Sequence, residues 1–330
     1  MKITSNSHGF HKIIVILMAA CICFTGGCGG IGYDMPYTVD SEVSSYRIVN
    51  ILQEADTAVP FAADLCVVDS DIALDAVDMD NVSAAALFDI NGEEVLYAMN
   101  VHARLYPASL TKIMTALVAL KHGTQDMVLT ATANVTNLQS GAQTCGIRAG
   151  DQMTLSQALH LLLINSANDA AVLIAEGVGG SLEGFAEMMN EEALLLGATN
   201  THFVNPHGLH DEKHYTTVYD LYLMMNAAIQ YETFNEIIRM PEYTTMITRN
   251  GEQVEMSVKS TNRYIKGEVN PPSGITVAGG KTGTTIAAGY CLLLLTKDTS
   301  NNPYISIILN ADERDQLYTQ MTELLGEINN

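Results

Sequence analysis

The sequence predicts an α+β fold, in which an antiparallel sheet is flanked by helices and carries an inserted all-helical lobe. Strand-like runs occur around residues 82–100 and again after Thr276, whereas the segment between them shows mainly helical periodicity. Strands from the two ends of such a chain can pair in one sheet, with the helices packed against it. The 330 residues, 48% of them hydrophobic, are enough to bury a large core.

The predicted strands come in two groups. "SAAALFDINGEEVLYAMN" contains two strand-like runs around Asn91-Gly92, a dipeptide that favours a tight hairpin turn. Near the other end, "GYCLLLLT" and "PYISIILN" are continuous apolar runs typical of buried strands. The sequence "RDQLYTQMTELLGEI" then predicts a closing helix.

The helical segment begins at "SLTKIMTALVALK". Its apolar residues Leu110, Ile113, Leu117 and Leu120 share one helical face, and Pro107 suits the first turn. Further on, a Thr-x-x-Gln capping box precedes "LHLLLIN", and "NDAAVLIAE" restarts a helix soon afterwards. Residues 165–168 are therefore predicted to form a turn between two helices.

The N-terminus predicts export. Lys2 and Lys12 precede an apolar run at residues 13–24, followed by small residues, so residues 1–28 are predicted to be a signal peptide. The run is shorter than the roughly 20 residues that span a bilayer, which favours cleavage over a permanent anchor. Cys28 follows Thr25-Gly26-Gly27, which resembles a bacterial lipoprotein cleavage box with threonine in place of leucine. Lipidation of Cys28 and ordinary signal-peptidase cleavage remain the alternatives.

The acidic charge of the chain limits the classes of molecule that it can bind. The chain has 16 Lys and Arg against 37 Asp and Glu, a net charge of −21, which disfavours binding to a nucleic acid. Arg47 is the only basic residue between Asp34 and Asp89, and we interpret residues 29–81 as an acidic spacer. No EF-hand spacing supports a calcium site there. No metal or other cofactor is predicted.

The cysteines are interpreted as structural. Cys21 and Cys23 leave with the signal peptide, so Cys66, Cys145 and Cys291 remain besides Cys28. None of them has C-x-x-C spacing, which favours structural thiols over a zinc site or a redox pair.

The stretch "AGGKTGTT" at residues 278–285 is close to a phosphate-binding loop. That loop requires glycine at position 275, where the chain has Ile275, and it requires a helix after the lysine. Here Lys281 leads instead into the extended run "TTIAAGYCLLLLT". A phosphate site is therefore not expected.

A second short motif suggests a different role for Lys281, as a cation near a serine and a lysine. Ser109 and Lys112 form an S-x-x-K sequence, which places both side chains on one face at a helix start. A lysine can remove the proton of a serine if burial and a nearby cation lower its pKa, and Lys281 would be that cation. Ser166 and Asn168 add an S-x-N sequence in the predicted inter-helix turn.

These three motifs, in this order, resemble those of the low-molecular-mass penicillin-binding proteins, which are serine-type D-Ala-D-Ala carboxypeptidases. The blocks "LYPASLTKIMTALVAL", "NSANDAAVLIAE", "NTHFVNPHGLHD", "STNRYIKGE" and "GGKTGTTIAAGYCLLLL" are similar to that family's blocks. The resemblance covers roughly residues 82–328. It implies a DD-peptidase/β-lactamase-like fold, with residues 82–330 as the catalytic domain acting outside the cytoplasmic membrane.

The resemblance also implies roles for the residues of the first two motifs. Ser109 attacks the carbonyl of the penultimate D-alanine of a peptidoglycan stem pentapeptide, and Lys112 is the base. Ser166 relays a proton to the departing D-alanine, and Asn168 orients Lys112 and the substrate amide. β-Lactam antibiotics would acylate the same serine.

The K-T-G strand would bind the substrate. The resemblance implies that Lys281 and Thr282 support its terminal carboxylate, and Gly283 and Thr284 are also predicted to bind the substrate. The backbone N–H groups of Ser109 and Thr284 would form the oxyanion hole.

Two features bear on recognition and attachment. We expect Gly279, Gly280 and Gly283 to let an extended substrate approach the strand. The family's carboxylate-binding arginine has no counterpart in register, although Arg314 is nearby. Many relatives carry a C-terminal β-domain and an amphipathic helix that this sequence, ending at Asn330, does not show, so any membrane attachment is expected at the N-terminus.

The motifs of two other hydrolase classes are missing from the sequence. A class A β-lactamase would add a glutamate in an E-x-x-L-N setting, and a Ser-His-Asp hydrolase a G-x-S-x-G elbow, and neither sequence is present. His202 and His207 are expected to brace their own loop. A DD-endopeptidase and a non-catalytic peptidoglycan-binding surface lipoprotein remain the alternatives to the carboxypeptidase.

Overall fold

The computed structural model describes residues 64–74 and 77–329. The predicted signal peptide, Cys28 and most of the predicted spacer lie outside the described residues. The described end of the spacer contacts the domain that follows it. Cys66 is fully buried, and Ile72 exchanges two backbone hydrogen bonds with Ala98.

Nine strands and seven α-helices are described. The strands are β1 (Ala84–Asp89), β2 (Glu94–Met99), β3 (Val128–Thr130), β4 (Gln152–Thr154), β5 (Glu242–Arg249), β6 (Glu252–Lys259), β7 (Thr276–Thr285), β8 (Gly289–Lys297) and β9 (Pro303–Ala311). The helices are α1 (Thr111–His122), α2 (Leu155–Ile164), α3 (Asn168–Gly179), α4 (Leu182–Leu195), α5 (Val218–Ala228), α6 (Glu232–Ile238) and α7 (Arg314–Gly326). In the described part of the chain, none of these helices has the length and hydropathy needed to cross a bilayer.

The larger sheet confirms that strands from the two ends of the domain pair together. Its order is β2-β1-β9-β8-β7, and every neighbouring pair is antiparallel. The predicted hairpin at Asn91-Gly92 is present, but Asp89 pairs with Glu94, so its loop has four residues. The Gly92 N–H donates to the Asp89 carboxylate, and Glu93 takes the left-handed conformation that this loop requires.

The inserted lobe is not all-helical, which corrects the prediction. It contains a second antiparallel sheet of order β3-β4-β5-β6. Strands β3 and β4 have three residues each, too few for a period of two to be visible in the sequence. Strands β5 and β6 are joined at Asn250-Gly251, whose positive φ angles of 53° and 83° suit a tight hairpin turn. This second Asn-Gly dipeptide was a signal that the sequence interpretation missed.

Both faces of the larger sheet are covered by packed side chains. On β8 and β9, Leu293 pairs with Ile307 and faces the core shared with the helical lobe. Leu292 pairs with Ile308 and faces the core shared with α7. The alternation follows from the period of two in a strand, and it explains why these strands are apolar along their whole length.

The start of α2 is fixed from two sides. Thr154 and Gln157 form the predicted capping box, with hydrogen bonds in both directions between side chain and backbone. The Gln157 amide also donates to Thr245 Oγ1 (2.7 Å) and to the Met246 carbonyl (2.8 Å), which ties the helix to β5.

A single carboxylate holds the loop of residues 139–148 against α3. Asp169, only 1% exposed, accepts hydrogen bonds from the backbone N–H groups of Cys145, Gly146, Ile147 and Ala170. An ionised carboxylate has the acceptor capacity for this many donors. The position of the loop therefore depends on the charge of Asp169.

Replacing Asp169 by asparagine should lower the free energy of unfolding by roughly 2–4 kcal/mol, because charge-assisted bonds are lost and an amide N–H₂ faces backbone donors. Urea unfolding of the purified protein measures this change. The control is Asp315→Asn, whose side chain is 88% exposed in its ion pair with Arg263. We expect that control to lose less than about 1 kcal/mol. Equal losses in the two variants would contradict the assignment.

Candidate active site

The predicted nucleophile lies in a tight turn ahead of α1. Residues Ala108–Leu110 form one turn of 3₁₀-helix, and Ala108 has a φ of 47°. Ser109 is partly exposed, whereas Lys112, one turn further on, is completely buried. The turn thus presents the serine to solvent and the lysine to the interior.

The Lys112 ammonium has three acceptors. Its Nζ lies 2.9 Å from Ser109 Oγ, 2.7 Å from Asn168 Oδ1 and 2.6 Å from the carbonyl oxygen of His207. The three acceptors come from the turn before α1, the start of α3 and the loop of residues 203–214. The structure therefore brings together the S-x-x-K and S-x-N motifs as the sequence predicted.

Burial lowers the pKa of both motif lysines. The pKa of Lys112 lies well below its ordinary value of 10.5, first because of burial and second because of the nearby charge of Lys281, while Asp169 acts in the opposite direction. Burial lowers the pKa of Lys281 to about 7. A neutral amine is therefore accessible at Lys112, as a base requires.

Ser166 occupies the turn between α2 and α3 in a left-handed conformation, with a φ of 64°. The Lys281 ammonium donates to Ser166 Oγ (2.9 Å) and to the Thr282 carbonyl (2.9 Å). A positive φ is uncommon for a serine, and such conformations concentrate at functional sites. The site thus contains two serine–lysine pairs, Ser109–Lys112 and Ser166–Lys281.

Strand β7 forms the opposite wall. Thr282 Oγ1 bonds Thr261 Oγ1 (2.6 Å), and Thr284 Oγ1 donates to the Gly283 carbonyl (2.7 Å). A Cβ atom on Gly283 would lie 3.2 Å from the Ser109 nitrogen and 3.0 Å from the Pro107 carbonyl oxygen. A side chain at this position would therefore be tightly packed where the strand passes the nucleophile turn.

Gly279 and Gly280 serve the packing of the protein itself, which corrects the expectation that they admit substrate. A Cβ on Gly279 would lie 2.4 Å from the Ile238 side chain. One on Gly280 would lie 2.3 Å from the Leu293 carbonyl oxygen of β8. Of the three glycines, only Gly283 lines the groove.

A groove of about 850 Å³ runs between these elements. It is lined by six of the eight predicted site residues, and the other two, Lys112 and Lys281, are buried. Its charged walls are more cationic than the chain as a whole, with Lys259, Arg263, Lys266 and Arg314 against Glu268 and Asp315. Such a groove favours an anionic occupant, although the chain is acidic.

Arg314 lies near the outer end of β7. Its guanidinium is 5.3 Å from the centre of the Tyr290 ring, and Tyr290 pairs with Thr284 across the sheet. It lines the same groove as Thr282 and Thr284. Its place in the fold brings it to the groove, although its place in the sequence is out of register with the family's arginine.

Sequence reasoning missed the backbone groups of the site. The His207 carbonyl bonds Lys112, and the Gln143 carbonyl accepts the Asn168 N–H (2.8 Å). Each accepting carbonyl is independent of the side chain of its own residue, His207 or Gln143, so no sequence motif signals it. The prediction that His202 and His207 brace their loop is confirmed, since their rings contact the Lys213 carbonyl and the Leu209 N–H.

The described cysteines make no hydrogen bond to the two serine–lysine pairs, although Cys291 lines the groove. Cys66, Cys145 and Cys291 are unpaired, and burial raises the pKa of each. In the described ranges, no cluster of three or more His, Cys, Asp or Glu side chains is arranged to hold a metal ion.

Curated proteins similar to this chain carry related names. The D-alanyl-D-alanine carboxypeptidase DacF of Bacillus subtilis (strain 168) is 34% identical over 245 residues, which is 73% of this chain and 60% of that protein. DacC of Escherichia coli (strain K12) is 32% identical over 260 residues, 76% of this chain and 62% of that protein. The chain thus spans less than two thirds of the length of these two relatives.

Solved structures share the fold. The crystal structure of a Streptomyces DD-transpeptidase has a TM-score of 0.70 and 25% identity, and the match covers 76% of this chain and 98% of that one. This likeness confirms the α+β, DD-peptidase-like fold class. The family model described as D-alanyl-D-alanine carboxypeptidase matches residues 74–313, well over half of the sequence. The chain therefore belongs to the D-alanyl-D-alanine carboxypeptidase family of peptidases.

Proposed function

We propose that this protein is a serine-type D-alanyl-D-alanine carboxypeptidase, which removes the terminal D-alanine from peptidoglycan stem pentapeptides through an acyl-enzyme on Ser109. The observation that carries the proposal is the contact between a partly exposed serine hydroxyl and the buried Lys112 amine, 2.9 Å apart in the groove floor. The family to which the chain belongs supports it.

The three acceptors around Lys112 explain how it activates Ser109. A neutral amine has two N–H groups and one lone pair. Asn168 Oδ1 and the His207 carbonyl are acceptors only, so they take the two N–H groups. The lone pair then faces Ser109 Oγ, and it accepts the hydroxyl proton when the oxygen attacks.

Acyl transfer follows from the second serine–lysine pair. Ser109 Oγ bonds to the penultimate D-alanine carbonyl carbon, and the peptide C–N bond breaks. Ser166 passes its hydroxyl proton to the departing nitrogen and takes one back from the Lys281 ammonium, 2.9 Å from its Oγ, while the proton of Ser109 stays on Lys112. Water then attacks the ester and loses a proton through Ser166 to Lys281, and Lys112 returns its proton to Ser109 Oγ, which restores the free serine and both lysines. The developing oxyanion is bound by the backbone N–H groups of Ser109 and Thr284.

The terminal carboxylate is bound at β7. Lys281, Thr282 and Thr284 place a cation and two hydroxyls on this strand, and Arg314 adds a guanidinium near its end. The pKa of Lys281 is lowered to about 7 by burial, and an anion beside it would raise that pKa. We propose that the free carboxylate and the ammonium stabilise each other on binding.

The site of action follows from the substrate. Peptidoglycan lies outside the cytoplasmic membrane, which agrees with the export signal in the sequence. β-Lactam antibiotics, which acylate the same serine in the family, are proposed as inhibitors. Lipidation at Cys28 lies outside the described residues and stays a prediction of the sequence.

A second candidate is DD-endopeptidase activity on cross-links. A protein named D-alanyl-D-alanine endopeptidase from Pseudomonas aeruginosa is 30% identical over 242 residues, covering 73% of this chain and 75% of that protein. The two activities differ in the leaving group, which is a single terminal D-alanine for the carboxypeptidase and the amine of a second stem peptide for the endopeptidase. The binding-only alternative predicts no cleavage.

Penicillin should form a stable adduct with the wild-type protein that is absent in Ser109→Ala, because the hydroxyl is the acylated atom. Intact-mass spectrometry measures the adduct. Ser300→Ala, an exposed serine outside the groove, is the matched control and should retain it. An adduct that persists in Ser109→Ala would remove Ser109 from this role.

Lys112→Arg should lower the rate of acylation by roughly 10²–10⁴-fold, since a guanidinium keeps its proton and cannot act as a base. The rate is followed with a fluorescent penicillin. Lys121→Arg makes the same change on the same helix, at a lysine paired with Glu192 and 40% exposed, and should leave the rate unchanged. Near-wild-type acylation of the Lys112 variant would show that another group is the base.

Cleavage of a diacyl-Lys-D-Ala-D-Ala peptide should exceed that of its C-terminal amide by one to two orders of magnitude in kcat/KM. Charge-assisted hydrogen bonds to the carboxylate are each worth roughly 1.5–3 kcal/mol, and the amide loses them. Released D-alanine and D-alaninamide are measured at matched concentrations. Equal rates would favour endopeptidase work, and no release from either peptide would favour the binding-only alternative.

A further inference from the structure

A chain of hydrogen bonds, buried from His214 onward, ends on the residue before the nucleophile. The Val204 N–H donates to His214 Nδ1 (3.1 Å), His214 Nε2 contacts Thr111 Oγ1 (2.8 Å), and Thr111 Oγ1 donates to the Ala108 carbonyl (2.8 Å). The backbone N–H can only donate, so Nδ1 carries no proton and the neutral ring carries it on Nε2. Every bond then runs in one direction, from Val204 to Ala108.

The surroundings of His214 keep this tautomer in place. His214 is 2% exposed, and its ring packs edge-to-face with the Phe203 ring, with the two ring centres 5.5 Å apart. Burial lowers its pKa to about 4, so the imidazole is neutral at ordinary pH. The titratable groups that act on it or are acted on by it are Asp211, which opposes the shift, and Lys112, His202, His207 and His210.

The chain of bonds acts on a backbone conformation that alanine rarely adopts. Ala108 has a φ of 47° and is 1% exposed. Such a conformation persists only where its surroundings hold it. The loop of residues 203–214 also packs directly against Ala108. Its Gly208 backbone lies so close that an added Cβ would be 1.8 Å from the Ala108 carbonyl oxygen.

The carbonyl of Ala108 and the N–H of Ser109 belong to one peptide group. No described peptide bond is cis, so these two groups point in opposite directions within a single plane. A hydrogen bond that fixes the carbonyl on one side therefore fixes the N–H on the other. That N–H is the proposed oxyanion donor, and its nitrogen lies close to Gly283 of β7.

We propose that His214 is a positioning residue, which acts through Thr111 on the Ala108–Ser109 peptide and aims the Ser109 N–H at the oxyanion. This inference rests on the proposed function, because it concerns the acylation of Ser109. The same loop also supplies the His207 carbonyl to Lys112 and the Pro206 carbonyl to Thr115 (2.6 Å). It thus positions both the base and the oxyanion donor.

The experiment measures penicillin acylation of the whole protein as a function of penicillin concentration. This dependence separates the affinity of the non-covalent complex from the acylation rate constant, and the final adduct per protein reports the folded fraction. His214→Leu and Thr111→Val each break the chain of bonds with little change in volume. Each should lower the rate constant by about 10- to 100-fold, with affinity within threefold and full adduct formation.

Two amide variants separate the two ends of the ring. Counted from the backbone, the glutamine amide nitrogen of His214→Gln matches Nε2 and keeps a donor for Thr111. The asparagine amide of His214→Asn matches Nδ1 and keeps only the contact with Val204. We expect the acylation rate constant of His214→Gln to stay close to the wild-type value. That of His214→Asn should fall as far as that of His214→Leu.

The double variant His214→Leu/Thr111→Val should be no slower than the slower single variant, because both act through one chain of bonds. Wild-type rate constants in Thr111→Val, additive losses in the double variant, or equal rates in the two amide variants would overturn the inference. If His214→Leu does not fold, Thr111→Val and the amide pair decide. A wild-type protein that forms no adduct would instead contradict the proposed function, and with it the inference.

Discussion

The burial of the Lys112 amine is the constraint on which the rest of the site depends. A charged amine loses its hydration in the protein interior, so it must be met by acceptors or lose its proton. Its acceptors, Ser109 Oγ, Asn168 Oδ1 and the His207 carbonyl, come from three segments that are distant in sequence. Lys112 therefore has all of its acceptors only when the first helix, the α2–α3 turn and the 203–214 loop pack together. The reactivity of the serine depends on all three segments.

The larger sheet supplies the fourth part of the site. Strand β7 is fixed by pairing with β8, which is covered on both faces, and Gly279 and Gly280 allow this strand to pack closely against Ile238 and β8. Because β7 is held so closely, Lys281 can be fully buried and still reach Ser166. The glycines of the K-T-G strand thus contribute to the site mainly by fixing the strand, and Gly283 alone contributes at the groove.

The sequence identifies the side chains of the site but not its backbone. Ser109, Lys112, Ser166, Asn168 and Lys281 are recognisable because their chemistry requires particular side chains at particular spacings, and the structure brings them together. The His207 carbonyl could belong to any residue, so no pattern marks it. In the small sheet, β3 and β4 have three residues each and show no period, whereas β5 and β6 carried two signals, a second Asn-Gly turn and the alternation of Val254, Met256 and Val258. His214 stands outside the three motifs, and only the direction of its hydrogen bonds indicates its role.

The arrangement that makes the site reactive also works against stability. A lysine has an ordinary pKa of 10.5, and burial lowers that of Lys281 to about 7 in the folded protein. Between these values the unfolded chain binds more protons than the folded one, so this group favours unfolding increasingly as the pH falls from about 10.5 to 7, and constantly below. The pKa of Lys112 is shifted in the same direction. At neutral pH the folded protein therefore holds two amines that have lost their hydration. The apolar packing of α1 and the sheet offsets this cost in free energy, so the reactive serine depends on the stability that the large core provides.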